Sequence, residues 1–273
     1  MESDDVTQAL FEIGADTLGE AVGFGVGGLA AGPVGAIGGA ALGSAASRLA
    51  LAIKNEFLSR LLSSKEKDRV VTVADMTKAK IEQKLSQGKT PRDDGFFNAH
   101  EGKRSTAEEI FEGTLLIAQR EYEERKLPLL ANLNANIAFS ESVTPGIANR
   151  LLKIAADLTY QEIIVLKVLG TLLECETGAL YPMSTDSQER EYKRGVVGIE
   201  SIAVATDIIN LYRNGLIHSK SVIRDSTDIY PPDLYVGGYG ALLFRLMELD
   251  GVEDMEHAVT NFLLDSYDRL IIG

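Results

Sequence analysis

The chain has 273 residues, with 27 Lys and Arg against 40 Asp and Glu, and a net charge of −13. That acidity argues against a surface built for nucleic-acid phosphates, which takes a basic face. The 45% hydrophobic content fits a folded chain of one or two domains, and a single cysteine, Cys175, excludes an internal disulfide and fits a reducing compartment.

Residues 6–20 place Val6, Leu10, Phe11, Ile13 and Leu18 in a loosely amphipathic helical pattern. They lead into the most unusual stretch of the chain. Between Glu20 and Arg48 lie twenty-seven residues without a charge, nine of them glycine. Small residues recur four apart as Gly23/Gly27, Gly28/Gly32, Gly35/Gly39 and Gly39/Gly43. Crossing a bilayer takes about 20 apolar residues, so the run is long enough. An interior glycine costs a soluble helix roughly 1 kcal/mol relative to alanine, whereas in lipid this spacing lets helix backbones approach and associate. Glycine and alanine carry little transfer energy, so one copy inserts marginally and an assembly inserts better. Pro33 either kinks a single helix or divides the run into a hairpin. Two readings stay open: a glycine-zipper membrane element, and a soluble helical hairpin packed through its glycines.

Charge is distributed asymmetrically around this run. Residues 1–47 sum to −6 and residues 48–92 to +6. An acidic start is unlike the basic beginning of a secretory signal peptide. The Lys/Arg bias predicts that the C-terminal side of a spanning segment faces the cytoplasm. Arg48, Lys54 and Arg60 are then expected to anchor that end, with Lys65, Lys67 and Arg69 also near anionic headgroups.

Downstream, LALAIKNEFLSRLL continues as a helix with Leu49, Ile53, Phe57, Leu61 and Leu62 on one side, closing a first region at residues 1–62. Residues 63–103 read as a polar, basic linker. It holds a short helix, ADMTKAKIEQKLSQG, that stops at Gly88, and a loop, KTPRDDGFFNAHEGK, anchored by Phe96 and Phe97. A helical domain occupies 104–157. Ser105-x-x-Glu108 is a capping box opening a long helix to near Pro128, with Ile110, Leu115, Ile117 and Tyr122 on one face. LPLLANLNANIAF is a more buried helix, and Thr144 caps a third with Pro145 in its first turn. The last region, 158–273, opens with a second box, Thr159-x-x-Glu162. A polar loop near 178–195 precedes a helix that stops at Asn214-Gly215. Two β-like runs, HSKSVIR and LYV, and the helix GALLFRLMELDG come after it.

No constellation for catalysis emerges. His100, His218 and His257 are far apart and sit in no metal-ligand spacing. Gly25-x-Gly27-Gly28 lacks the Lys-Ser/Thr of a phosphate loop, and Ser44 lacks the second glycine of a nucleophile elbow. Asp93-Asp94 and Glu121, Glu123 and Glu124 read as solvated charge, with Glu121–Arg125 a helical pair. The stretch from Arg92 to Phe97 reads either as a docking loop or as a structural one. The expectation is a non-enzyme without metal or cofactor.

Two resemblances rest on these residues. The order helix, helix, strand, strand, helix near the C-terminus resembles a winged-helix domain, with the Leu211–Ile217 stretch ending the recognition-type helix and entering the wing. DNA reading does not carry over, because residues 158–273 hold nine Lys/Arg and eighteen Asp/Glu. The glycine run 21–47, the basic flank 48–69 and the helical unit 105–157 together resemble prokaryotic membrane-acting effectors of abortive-infection antiphage systems. That resemblance implies a cytoplasmic protein that associates with or inserts into the inner membrane, with lipid, further copies of itself and a protein partner or sensor as its contacts. The expected fold is mainly α, with an N-terminal glycine-zipper helix or hairpin, a helical middle domain and a winged-helix-like C-terminal module with a small β-hairpin. The alternative is a soluble adaptor that uses the glycine-rich hairpin and the acidic module for protein–protein contact.

Overall fold

The structure, a computed structural model, describes residues 53–55, 60, 62–98, 104–176 and 199–253, with 259, 262 and 263. The glycine run, Arg48, the 178–195 loop and the side chain of Cys175 lie outside the described residues. The described chain is mainly helical, with one small antiparallel sheet near the C-terminus. It divides into two compact units, residues 1–152 and 153–273.

In the first unit, α1 (Ser64–Ser86), α2 (Thr106–Arg120), α3 (Leu127–Ile137) and the start of α4 (Pro145–Asp157) carry the fold. Helix α1 corrects the expectation of a linker beginning at residue 63. It runs for 23 residues and buries a stripe of Val70, Val73, Ala74, Thr77 and Ile81 against α2 and α3. Its start is a capping box: the Glu66 amide donates to Ser63 Oγ at 3.4 Å, and the Ser63 amide donates to Glu66 Oε2 at 2.8 Å. Its end is a Schellman turn. Gly88, at φ +77°, donates to the Leu85 carbonyl, and Lys89 donates to that of Lys84. The stretch is polar because only one narrow face is buried.

Helix α2 opens on the expected Ser105/Glu108 box, with the Glu108 amide 3.2 Å from Ser105 Oγ. It stops at Arg120, well short of Pro128, because Glu121 turns extended (ψ 124°) and a 3-10 turn, Glu124–Lys126, leads into α3. Ile110 and Leu115 are buried as expected, but Tyr122 lies beyond the helix and is 81% exposed. Helix α3 is apolar nearly all round, with Leu127, Leu129, Leu130, Ala131, Leu133, Ala135 and Ile137 buried. Such a helix belongs at the centre of its unit. Its one buried amide, Asn134, donates to Thr114 Oγ1 at 2.8 Å, and that hydroxyl donates to the Ile110 carbonyl at 2.9 Å. Thr144 caps α4 through the Ile147 amide at 3.4 Å.

The second unit is built around α5 (Tyr160–Glu176), whose Ile163, Ile164, Val165, Leu166 and Leu169 are all buried. Its box is present: the Thr159 amide donates to Glu162 Oε2 at 2.8 Å, and the Glu162 amide to Thr159 Oγ1 at 3.1 Å. Helix α6 (Ile199–Arg213) ends as expected at Asn214-Gly215, with Gly215 at φ +68°. Strands β1 (Ile217–Ser219) and β2 (Leu234–Val236) pair antiparallel, with His218 opposite Tyr235. The β-like run HSKSVIR is therefore a strand only to Ser219. Beyond it, Asp225 and Asp228 fold the chain locally by accepting the Thr227 and Arg224 amides, and the next turn carries Pro231 and Pro232. Helix α7 (Gly238–Leu246) follows, and α5, α6, the hairpin and α7 pack on one another.

Candidate functional site

The described residues closest in sequence to the glycine run are 53–55, 60 and 62, and all that have a described contact rest on the first unit. Ile53 is buried in the cluster of Val70, Val73, Ala74, Phe111, Leu115, Ala118, Leu127 and Ala131, and Leu62 packs against the same cluster. Lys54 Nζ lies 2.5 Å from Asp75 on α1, with the side chains 17% and 53% exposed. Arg60 reaches Glu112 on α2 at 2.9 Å, with the side chains 37% and 18% exposed. Arg104, just before α2, pairs with the other oxygen of the Glu112 carboxylate. About two helix turns further along α2, Arg69 donates to the Gln119 carbonyl at 2.7 Å, and Gln119 Nε2 donates to Glu66 at 3.0 Å.

These neighbours set the acidity of the carboxylates. The Arg60 hydrogen bond first, and Arg104 after it, hold Glu112 below the ordinary carboxylate value against the opposing effect of burial. Glu66 is lowered from 4.5 to about 2, chiefly by the hydrogen bond from Gln119 and then by those from Ser63. The pairs are partly solvated, so each is worth at most about 1 kcal/mol. A basic side chain near an anionic bilayer gains about 1 kcal/mol as well.

Among the residues that the sequence singled out, Lys54 and Arg60 thus sit on carboxylates of their own unit. Gly23, Gly27, Gly28, Gly32, Gly35, Gly39, Gly43 and Arg48 lie outside the described residues. The Arg92–Phe97 stretch is a structural clamp. Arg92 is buried, with its guanidinium 2.7 Å from the Val143 carbonyl, paired with Asp94 and stacked 4.4 Å over the Phe96 ring. That pairing lowers the Asp94 carboxyl, mainly through the hydrogen bond from Arg92. Phe96 and Phe97 meet edge to face at 5.2 Å, so both anchor the loop. Glu121 is not a solvated charge. It is buried and pairs with buried Lys126 at 2.5 Å, while accepting the Glu123 amide at 2.9 Å. His218 lies at a strand position beside Tyr235, ring centroids 5.4 Å apart.

The partners Asp75, Glu112 and Gln119 carry no motif of their own. The one local signal for this arrangement is Ser63-x-x-Glu66, which marks where α1 begins. Among the described residues, no group of three or more His, Cys, Asp or Glu is placed to hold a metal ion. Among those residues, too, no helix is long and apolar enough to cross a membrane. No family model, no curated protein and no solved structure matches the chain.

Proposed function

We propose that this chain is a non-enzymatic, membrane-associated effector. It self-assembles through residues 21–47 and perturbs or permeabilises the inner membrane, in antiphage or stress defence. The observation that carries the reading is the uncharged run itself, twenty-seven residues with nine glycines in repeated four-residue steps. Gly23, Gly27, Gly28, Gly32, Gly35, Gly39 and Gly43 pack copies together, and Arg48, Lys54 and Arg60 hold the cytoplasmic end at the headgroups. The C-terminal unit is a winged-helix-like module. Its α6, in the position of a recognition helix, carries Arg213 as its only cation, so the module receives a protein partner or sensor rather than DNA.

The test is dye release from anionic liposomes by the purified protein, paired with flotation. Release together with flotation is the expected result. Replacing Gly35 and Gly39 with leucine abolishes assembly and release; release that survives the double change sinks the zipper mechanism. The exposed Ile199, Ile202 and Val222 favour a second reading, a soluble adaptor. It predicts neither flotation nor release, with the glycine run buried against itself or against a partner protein.

A further inference from the structure

We propose that Asp75 and Glu112 form a latch that holds the segment after the glycine run on the first unit, and that anionic lipid headgroups open it by taking over Lys54 and Arg60. The inference rests on the membrane reading above and adds to it how engagement is controlled. A cation already neutralised by a carboxylate presents little net charge to an anionic surface. Lys54 on Asp75 and Arg60 on Glu112 are in that state. The same segment has an apolar anchor at each end, Ile53 and Leu62, seated on the cluster of Val70, Phe111 and Leu115. Closed, the latch pairs both cations with carboxylates and buries Ile53.

The geometry also makes opening inexpensive. Glu112 keeps Arg104 on its second oxygen when Arg60 leaves, so its half-buried carboxylate is not left without a cation. Asp75 is 53% exposed and is hydrated as soon as Lys54 departs. Ile53, exposed by opening, gains the acyl boundary of the bilayer in exchange for its protein contacts.

The test uses the full-length chain and two readouts. Amide hydrogen exchange at residues 53–55 reports the latch without lipid. Co-flotation with phosphatidylglycerol-containing vesicles, against pure phosphatidylcholine vesicles, reports its use. The Asp75→Asn/Glu112→Gln variant is expected to exchange there about tenfold faster, the ratio that loss of the two partly solvated pairs holding Lys54 and Arg60 supplies, and to float better with the anionic vesicles. Wild-type exchange at the same amides rises on anionic vesicles and not on neutral ones. This second measurement needs no substitution and keeps the test sound if the variant folds poorly. Exchange unchanged by the substitutions overturns the latch. Wild-type flotation with unchanged exchange also overturns it and leaves the membrane reading standing. Faster exchange in a variant that, like the wild type, never floats overturns both the lipid as opener and the membrane reading.

Discussion

Both units have apolar cores, but they differ in what supplements them. The first is tied by charge: Arg92 inside a loop, Glu121 on Lys126, and Glu112 between two guanidiniums. The second packs apolar side chains around α5 and uses glycine to bring backbone close. A Cβ on Gly240 would lie 2.8 Å from the Leu216 carbonyl carbon, and one on Gly170 would press into the Phe244 ring. A polar clamp tolerates a polar sequence, provided each buried charge finds its partner. A backbone close approach tolerates only glycine, whatever the polarity around it. Among the described residues of the first unit, the charged stretches are held in place.

The sharpest way to break this contrast is at the buried pair. Lys126→Met strands the Glu121 carboxylate and is expected to cost about 4 kcal/mol in denaturant unfolding. Adding Glu121→Leu should recover most of that loss, because two apolar groups replace two charges. A double variant as unstable as the single one would show that charge pairing is not what holds this turn. In the second unit, Gly240→Ala is expected to cost about 3 kcal/mol, since the obstruction is main chain and cannot rotate aside. Gly170→Ala meets a ring that can shift, so its thermal midpoint should fall less. Equal losses at the two glycines would remove the distinction. The smallest effect is in acid. Folding lowers the Glu66 pKa from 4.5 to about 2, so its stabilisation is complete above about 4.5 and is lost as pH falls toward 2. Glu112 and Asp94 are lowered in the same sense. Protection factors along α1, which remove the intrinsic pH dependence of amide exchange, should therefore fall through that window, and Glu66→Gln should weaken that fall.

Much of the helical layout is legible along the chain because its signals are local. Ser105/Glu108, Thr159/Glu162, Thr144-Pro145, Gly88 and Asn214-Gly215 each satisfy backbone groups within a few residues, and the structure has a helix end at every one. The cap at Ser63-x-x-Glu66 has the same form. It is masked by the polarity of the helix it opens, where Val70, Val73 and Ile81 are too sparse to announce a core element. The end of α2 at Arg120 is not local either. A helical period continues through Tyr122, and the chain leaves it because Glu121 finds Lys126 and the Glu123 amide instead.

The candidate site divides along the same line. Lys54 and Arg60 stand out in the sequence as cations flanking an uncharged run, which is a property of composition and needs no fold. Their partners come from 21 and 52 residues away in the chain, Asp75 on α1 and Glu112 on α2. Nothing within a few residues of either carboxylate marks it as a partner. Only the packing of α1, α2 and α3 brings them to the same surface as Ile53. Capping, chain reversal and charge balance are short-range properties and can be read directly from residue order. Which charges meet depends on how helices far apart in sequence cross, and that is decided when their apolar faces pack.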